Sequence, residues 1–553
     1  MNGYEYIASI LKSEGIKWMA CFPSNPLIEA VASCGIRPVM FRHERGAVMA
    51  ADGFTRSSDE NIFGVVAVQS QAGAENSIGG LAQAFADNIP ILFFPGGNSL
   101  NNLNIRPNFS AVRTYQSVAK NVESILSPNQ VGDVMRRAFH GLRNGPPGPM
   151  VVELISDVCS MEVSESDKTY FSPPIAKQVP DIQDIKAASS VLTSAKRPLI
   201  WCGSGVLSSD ATKDIVELSE LINAPVYCTM PGKSGFPENH KLFLGSGSGT
   251  TTLAAHQWLT TCDTVLAVGT SLTRSPYAQP FPKNPVVIHN TINHHDLNKE
   301  ERADIGLLGD TKLTIKSLIN QLKDYSPDQN HSARLVKKIS ETHHLWRSLW
   351  EPVVTDDTAP LNYYRVIGAL NSILKKNSSI VTHDAGAPRD CMVPFYQATV
   401  PKSYIGWGKT THLGFGIPLM IGAKVANPNK FCLNVMGDAA FGMSGIDIET
   451  SVRANLPITT IVLNNKGMAT YSGFTESLVG PEARKYGVTK SSGCYAELAS
   501  SLGAKGIKIK TATALDEAIT TAIELNAIGT TVLIEVETLV EERRSSLKTN
   551  FKP

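Results

Sequence analysis

The sequence has no marked excess of either charge, no apolar run long enough to cross a membrane and no Cys-x-x-Cys pair. Its 51 Lys and Arg residues nearly balance 50 Asp and Glu residues, giving a formal net charge of +1. This balance favours neither nucleic acid nor an anionic membrane as a partner. Apolar runs stay short of the roughly 20 residues that span a bilayer, and the N-terminus lacks a basic-then-apolar signal pattern. We therefore expect a cytoplasmic protein that does not enter membranes.

The nine cysteines are scattered along the chain without clustering. Several, such as Cys202 and Cys432, lie in apolar strand-like segments, which is typical of buried thiols in a reducing compartment. Cys21 adjoins a candidate substrate loop, but a small core residue is the favoured interpretation. The cysteines therefore predict neither disulfides nor a metal site.

The length of 553 residues and an apolar fraction of 42% fit a globular chain of three or four domains. In the first third, short apolar segments at 64–68, 90–94 and 149–154 alternate with amphipathic or Ala-rich segments. This rhythm predicts βαβ units with a parallel sheet that helices cover on both faces.

Two further α/β units follow the first. A polar, Pro-containing stretch at 164–181 and a charged stretch at 323–346 are interpreted as linkers. The predicted divisions are 1–170, 182–330 and 358–540, followed by a polar tail at 541–553. That tail either folds over the active site or stays disordered.

Two polar side chains follow neighbouring predicted strands near the end of the chain. Asp438 and Asn465 are 27 positions apart, and the intervening sequence predicts a helix (444–455) and a strand (458–463). Parallel strands end side by side, and ligands of open α/β sheets bind at those ends. Carboxylate and carboxamide oxygens suit magnesium, which usually also takes phosphate oxygens. The pattern predicts a metal-bridged diphosphate site, although Gly-Asp and Asn-Asn pairs also occur in ordinary turns.

The two runs around these side chains, Gly437-Asp438-Ala439-Ala440-Phe441 and Asn464-Asn465-Lys466-Gly467, resemble a known motif. It is the thiamine-diphosphate motif of the acetolactate synthase and pyruvate decarboxylase superfamily, which also includes benzoylformate decarboxylase-like enzymes. The resemblance implies that Mg²⁺ is bound by Asp438, Asn465 and the backbone carbonyl of Gly467. It further implies that the cofactor contacts Gly437, Asp438, Ala439, Ala440, Asn465, Gly467 and Met468. The usual Gly after the Asp is here Ala439.

The implied fold is α/β, with three doubly wound parallel-sheet domains. They are a pyrimidine-binding domain, a middle domain and a diphosphate-binding domain. In relatives the middle domain binds FAD, another nucleotide or nothing, and here we expect a structural role, with FAD not favoured. Because Glu44 and Asp438 fall in different domains, the resemblance implies a homodimer or homotetramer with active sites between subunits.

An upstream segment, Arg42-His43-Glu44-Arg45-Gly46-Ala47, resembles the family's Arg-His-Glu-x-Gly-Ala segment. An isolated Glu at a strand-to-helix junction could simply cap the helix. The resemblance instead implies that Glu44 is catalytic. It would bind N1′ of the cofactor's aminopyrimidine and favour the imino tautomer.

The loop 408–418 resembles the family's loop beneath the cofactor. The resemblance implies that Leu413 wedges between the two cofactor rings and that the carbonyl of Thr411 accepts from the 4′-amino group. Many relatives have Gly where this chain has Thr411. His412 is also a candidate acid-base group, but we favour a structural role for it because its neighbours bind through the backbone.

Two loops of the first unit are candidates for contact with substrate. Asn25, in the loop 21–26, could hydrogen-bond a carboxylate or oxyanion but could not act as a base near neutrality. Gln69 and Gln71 lie in a second loop, where each either contacts substrate or stabilises the loop. These three residues complete the predicted catalytic set with Glu44.

Two departures from acetolactate synthases concern the substrate end. Phe109-Ser110-Ala111 stands where they usually have Phe-Gln-Glu, and Tyr471-Ser472-Gly473-Phe474 stands where they carry a Trp. The smaller side chains suggest a wider pocket. We predict an acetolactate-synthase-like carboligase acting on 2-oxo acids. The alternatives are a 2-oxo acid decarboxylase, a 2-hydroxyacyl-CoA or oxalyl-CoA type lyase, and a cofactor-binding paralogue without activity.

Overall fold

The computed structural model describes residues 1–59, 61–468 and 479–553. They form three six-stranded sheets in which the paired strands run parallel. The predicted α/β architecture of three doubly wound sheets is therefore confirmed. The segment 471–474, which was compared with relatives above, lies outside the described residues.

The first sheet has the strand order β2-β1-β3-β4-β6-β5. Its strands are β1 (Trp18–Cys21), β2 (Arg37–Met40), β3 (Gly64–Val68), β4 (Ile91–Gly97), β5 (Asn121–Ile125) and β6 (Met150–Ile155). Its helices are α1 (Gly3–Ser13), α2 (Leu27–Ser33), α3 (Glu44–Ser57), α4 (Ala72–Ala86), α5 (Ala111–Tyr115), α6 (Val131–Arg143) and α7 (Ser156–Cys159). Successive β3 residues point to opposite faces, and both faces are buried, as the near-continuous apolar strands require.

The second sheet has the order β12-β11-β10-β7-β8-β9. Its strands are β7 (Pro198–Cys202), β8 (Val226–Thr229), β9 (Phe243–Gly247), β10 (Thr264–Val268), β11 (Val286–Thr291) and β12 (Ile305–Leu308). The accompanying helices are α8 (Ile182–Ser194), α9 (Gly205–Ser208), α10 (Thr212–Leu221), α11 (Leu253–Leu259), α12 (Thr311–Gln321) and α13 (Gln329–Val354).

The third sheet repeats the order of the first, as β14-β13-β15-β16-β18-β17. Its strands are β13 (Ser379–His383), β14 (Tyr404–Ile405), β15 (Phe431–Gly437), β16 (Thr459–Asn464), β17 (Lys505–Ile509) and β18 (Val532–Glu537). Its described helices are α14 (Tyr363–Ile373), α15 (Ala387–Phe395), α16 (Gly416–Ala426), α17 (Asp438–Ser444), α18 (Asp447–Arg453), α19 (Pro481–Lys485), α20 (Tyr495–Ser501) and α21 (Ala512–Ala527). The helix predicted at 444–455 thus starts earlier and is interrupted between α17 and α18.

Helices α3 and α16 pack backbone to backbone across the boundary between the first and third sheets. A Cβ atom at Gly53 would overlap the backbone of Leu419, and one at Gly422 would overlap the carbonyl of Ala50. Glycine at these two positions therefore permits the close approach. The apolar core on one face of the first sheet continues through this contact into the core of the third.

Two segments interpreted as linker and tail are built into the fold. Most of the charged stretch at 323–346 belongs to α13, whose buried Leu335, Ile339, Trp346 and Trp350 recur at helical spacing and cover the core. The tail at 541–553 packs against the rest of the chain, so the alternative of disorder is not what the structure shows. Its Ser545 Oγ donates to the carbonyl of Thr251 (2.7 Å) and accepts from Trp346 Nε1 (2.9 Å).

A buried ion pair in the second sheet's domain also contacts the third domain through its glutamate. Lys233 Nζ lies 2.6 Å from Glu238 Oε1, and both side chains are buried. Glu238 also accepts from Ser246 Oγ (2.7 Å) and from the amide of Ala398 in the third domain (3.0 Å). Each oxygen of the carboxylate therefore has a partner, as a buried charge requires.

Among the described residues, no helix is long and apolar enough to cross a bilayer.

We expect Glu238→Ala to lower the free energy of unfolding by about 3–5 kcal/mol, because it leaves the Lys233 ammonium buried without its counter-charge. Urea unfolding followed by tryptophan fluorescence would measure the change. The control is Glu482→Ala, which breaks an exposed pair of the same N–O distance, 2.6 Å to Lys485, and should cost at most about 1 kcal/mol. Equal losses in the two variants would contradict this account.

Candidate active site

The ends of β15 and β16 bring the two predicted metal ligands together. The strand order of the third sheet reverses between β13 and β15, the place where ligands bind in such sheets. Asp438 follows β15, and Asn465 follows the adjacent β16. The predicted side-by-side arrangement of the two strand ends is what the structure shows.

The oxygens of Asp438 and Asn465 converge on one backbone amide. The amide of Gly467 lies 3.1 Å from Asp438 Oδ2 and 3.0 Å from Asn465 Oδ1. Ser491 Oγ donates to the same carboxylate oxygen of Asp438 (2.5 Å). Asn465 Nδ2 donates to the hydroxyl of Tyr363 (3.0 Å), which leaves its carbonyl oxygen on the side of Asp438.

The chemistry of this donor set fits a hard divalent cation. Burial raises the pKa of the Asp438 carboxyl, and no ion pair between it and a basic side chain forms within residues 1–59, 61–468 and 479–553. The described part of the chain also has no cluster of three His, Cys, Asp or Glu side chains that could hold a metal. A cation here would rely on one carboxylate, a carboxamide oxygen and further neutral or phosphate oxygens, a set typical of magnesium.

The backbone beside Asp438 leaves room for a phosphate group. At Gly437 and at Gly386, which precedes α15, a Cβ atom would meet no described atom within 4 Å beyond the immediate chain neighbours. Gly437 ends β15 and Gly386 follows β13, the two strands of the switch point. Ala439, in place of the usual Gly, is half-buried, and its amide donates to Asp438 Oδ1 (2.8 Å).

Glu44 is buried at the start of α3, with only 3% of its surface exposed. Its Oε2 accepts from Asn76 Nδ2 on α4 (3.0 Å). Its Oε1 lies 3.2 Å from the position that a Cβ of residue 73 would take, so Gly73 lets the carboxylate approach the α4 backbone. Asn76 was not singled out from sequence, because only the packing of α4 on α3 places it beside Glu44.

The loop 408–414 carries the predicted Thr411 and Leu413. Thr411 has a φ of +54°, a left-handed conformation that is costly for a β-branched residue. Glycine would adopt this conformation without that cost. Leu413 is half-buried and packs against the core shared by the first and third sheets. The His412 ring lies against α4 near Gly79, and burial lowers the pKa of its imidazole. The structural role favoured for His412 stays a prediction.

Comparisons with known proteins agree with this geometry along most of the chain. Residues 1–120 match the thiamine pyrophosphate enzyme N-terminal TPP binding domain, 185–318 the central domain and 384–536 the C-terminal TPP binding domain. The chain therefore belongs to the thiamine-diphosphate-dependent enzyme superfamily.

Curated relatives align over nearly the full length of this thiamine-diphosphate enzyme. It is 28% identical to a probable acetolactate synthase large subunit of Methanocaldococcus jannaschii, over 95% of this chain and 90% of the relative. It is 26% identical to the acetolactate synthase isozyme 3 large subunit of Escherichia coli, over 97% and 94% of the two chains. It is 27% identical to the acetolactate synthase large subunit of Lactococcus lactis, over 98% and 93%.

The three predicted substrate contacts of this thiamine-diphosphate enzyme differ in their surroundings. Asn25 is buried, and its Nδ2 donates to the carbonyls of Val68 (2.9 Å) and Phe94 (3.2 Å). Its Oδ1 accepts from the amide of Leu27 (3.0 Å). The Asn25 amide is thus satisfied within the fold, and its contact with substrate stays a prediction.

Gln71 is strained, whereas Gln69 lies next to the catalytic candidate. Gln71 has φ +55° and ψ −112°, and its side chain contacts Asn98 Oδ1 (2.9 Å) and the amide of Phe109 (2.9 Å). Strain of this kind often accompanies function, but these bonds also stabilise the loop. Gln69 is half-buried, and its Cγ lies near the same Gly73 position as Glu44 Oε1. Of the two glutamines, Gln69 is therefore the better placed to contact a substrate.

Not all residues of the segment 109–111, which was expected to widen the substrate pocket, are free to line a pocket. Ala111 opens α5 and is buried in the core of the first domain, so its size reflects packing. Phe109 is half-buried and packs edge to face with Tyr115, with ring centroids 5.5 Å apart. Within the described segment 109–111, Ser110 is therefore the residue that could still widen the pocket.

The second sheet has its own switch point, between β7 and β10, and a cavity of about 870 Å³ opens there. Gly205 and Gly269 line it, and residues from all three domains contribute, including Arg56, Trp201, Asp310 and Lys409. A structural role for the middle domain was expected, and the cavity provides space for a ligand as well.

The third domain also fixes the segment around Glu44 within the same chain. Asp447 Oδ1 accepts from the amide of Arg42 (3.0 Å), and Arg45 Nη2 donates to the carbonyl of Met443 (3.0 Å). Burial raises the pKa of Asp447 to about 6, with a further rise from Glu449 and opposing effects from Arg42 and Thr450. This carboxylate was not identified from sequence, since it acts across a domain boundary.

We expect Asp447→Asn to change how stability depends on pH. The pKa of Asp447 in the folded protein is about 6, above the usual value of roughly 3.9. The protonated carboxyl therefore contributes to the free energy of unfolding fully below about pH 4, and this contribution is lost as pH rises through 6. The variant, which cannot ionise, should gain up to about 3 kcal/mol over wild type between pH 4 and pH 7. Unfolding free energies across this range test it, with the exposed Asp133→Asn as control. Parallel pH curves for wild type and Asp447→Asn would refute it.

Proposed function

We propose that this enzyme is an acetolactate-synthase-like carboligase that uses thiamine diphosphate and Mg²⁺ to join 2-oxo acids. The observation that carries the proposal is the convergence of Asp438 Oδ2 and Asn465 Oδ1 on the Gly467 amide. Nearly full-length similarity to acetolactate synthase large subunits supports the type of reaction.

The residues at the ends of β15 and β16 would hold the metal and the diphosphate. Asp438, Asn465 and the carbonyl of Gly467 would bind Mg²⁺, while the open backbone at Gly437 would admit phosphate oxygens. Ala439, Ala440 and Met468 would line the same space. When bound, thiamine diphosphate supplies a carbanion that adds to the carbonyl carbon of a substrate.

Glu44 and the loop 408–414 would bind the pyrimidine end. The buried carboxylate of Glu44, held by Asn76, would bind the proton at the ring nitrogen N1′. The carbonyl of Thr411 would accept from the 4′-amino group, and Leu413 would support the cofactor from below. Holding these groups in fixed positions brings the proton-transferring atoms within reach of each other.

Gln69 is the side chain we propose at the substrate end, since it lies beside Glu44 and Gly73. Its amide can donate to a carboxylate or oxyanion of a 2-oxo acid. Gln71 would act mainly by holding the segment from Asn98 to Phe109 against α4. We therefore propose that the side chains around Gln69 determine which two 2-oxo acids the enzyme joins.

The second candidate is a decarboxylase or an acyl-CoA lyase of the 2-hydroxyacyl or oxalyl type, and the middle-domain cavity favours the lyase. Its volume of about 870 Å³ suits a nucleotide-sized ligand. FAD is not the ligand that we favour for that cavity. A paralogue without activity is disfavoured, because Glu44, Asp438 and Asn465 are all retained.

We infer a homodimer or homotetramer in which Glu44 of one chain and Asp438 of another serve one cofactor. This follows the family pattern of a pyrimidine-binding domain at 1–170, a middle domain at 182–330 and a diphosphate-binding domain at 358–540. We also infer a cytoplasmic location. Seven of the nine free cysteines are buried, including Cys21, and burial raises the pKa of that thiol to about 12.

A screen of 2-oxo acids should separate the candidate reactions. We expect pyruvate or a related acid to release carbon dioxide and yield a carboligated hydroxy-oxo acid, detected together by mass spectrometry. Aldehyde as the main product would favour a decarboxylase, and turnover of an acyl-CoA together with ADP or coenzyme A binding would favour the lyase. Absence of turnover with all three classes would contradict the proposed function.

Glu44→Gln should reduce turnover by at least about a hundredfold, because a neutral amide cannot promote the proton shift at the pyrimidine. The fold should be intact by circular dichroism. The control is Glu153→Gln, another buried glutamate of the first domain, which contacts Ser124 Oγ (2.5 Å). Near-normal turnover in Glu44→Gln would remove Glu44 from the mechanism.

A further inference from the structure

The loop that carries Thr411 is held by side chains at the C-terminal end of α4 in the first domain. The amides of Gly408 and Lys409 both donate to the carboxylate of Asp87, each at 3.3 Å. Thr410 Oγ1 donates to Gln83 Oε1 at 2.7 Å. Three consecutive loop residues are thus bound by two side chains that lie one helical turn apart.

Asp87 is itself fixed by a buried network that includes α3. Arg56 Nη2 lies 2.8 Å from Asp87 Oδ2, and Gln83 Nε2 donates to the same oxygen at 2.8 Å. Arg56 also pairs with the fully buried Asp52 and donates to the carbonyl of Gly406 (3.2 Å). The guanidinium therefore contacts both the carboxylate that binds the loop and the chain that leads into it.

The conformation of Thr411 needs such support. A β-branched residue at φ +54° persists only where its surroundings determine it, because the left-handed region is unfavourable for it. On its other side the loop is fixed by Asp384, which accepts from the amides of Gly414 (3.1 Å) and Gly416 (3.0 Å). Thr411 lies between these two anchored stretches.

We propose that Asp87, supported by Arg56 and Gln83, is a positioning residue that keeps Thr411 left-handed so that its carbonyl faces the cofactor's pyrimidine. This inference rests on the proposed function. It also gives α3 a second role. The helix carries Glu44 in its first turn and Arg56 in its last, so in the proposed oligomer one rigid element would position Glu44 for one cofactor and support the Thr411 that serves the next.

A double-mutant cycle between positions 87 and 411 tests the proposal. Calorimetric titration of thiamine diphosphate at saturating Mg²⁺ should show Asp87→Asn binding at least about tenfold more weakly, the usual effect of losing a charged supporting contact. Thr411→Gly is the second single variant of the cycle and sets the affinity with which the double variant is compared, because glycine adopts the left-handed region freely. In the double variant, glycine should recover most of the lost affinity, which is the coupling expected of directly linked sites.

Two further variants separate positioning from general destabilisation. Glu14→Gln removes a buried ion pair of the same domain, 2.5 Å to Arg143, that does not contact the loop, and should leave cofactor affinity unchanged. Thr410→Val removes only the hydroxyl contact with Gln83 and should weaken binding by a few fold. Hydrogen exchange of the cofactor-free protein should show faster exchange at Gly408 and Lys409 in Asp87→Asn.

Several outcomes would overturn the inference. One is an Asp87→Asn variant with wild-type affinity and unchanged exchange in the loop. Another is a double variant that binds no better than Asp87→Asn alone, since a merely structural role predicts no rescue by glycine. If wild type itself takes up no cofactor while the loop exchange responds as expected, the proposed function fails and the role of Asp87 is limited to holding the loop.

Discussion

The packing of α3 against α16 is the constraint on which the candidate site depends. Glycine at positions 53 and 422 lets the two backbones touch. Helix α3 begins at Glu44, and α16 begins at Gly416, directly after the loop that carries Thr411 and Leu413. A shift of one helix along the other would therefore move the buried carboxylate relative to that loop. Apolar side chains from both sheets surround the contact in one continuous core, which makes such a shift costly.

Electrostatic interactions across domain boundaries complete this arrangement. Asp447 fixes the segment that leads to Glu44, Asp87 fixes the loop 408–414, and Glu238 joins the middle and third domains. Each is a buried carboxylate that accepts a backbone amide from another domain. Such contacts favour one relative placement of the domains, because a carboxylate removed from its donors would be left buried without compensation.

Parts of this picture could be predicted from sequence because they depend on local patterns. The spacing of Asp438 and Asn465 fits a strand-helix-strand unit, and the structure places both residues at adjacent strand ends. The helix over most of 323–346 was not predicted, because the charges of this stretch hid the helical spacing of Leu335, Ile339 and Trp346. Asn76, Asp87 and Asp447 could not be found from sequence, since their partners are distant in the chain and only the packing brings them together. The contacts of Asn25 depend likewise on β3 and β4 meeting around one side chain.

The central claim is that Asp438 and Asn465 form a metal site that binds thiamine diphosphate, and cofactor uptake measured by titration calorimetry tests it most directly. The account predicts saturable binding of about one cofactor per chain when Mg²⁺ is present. It also predicts that binding is lost when the metal is chelated or when Asp438 is replaced by Ala. Absence of uptake by the wild-type protein with both Mg²⁺ and thiamine diphosphate in excess, or uptake that is indifferent to the metal, would contradict it.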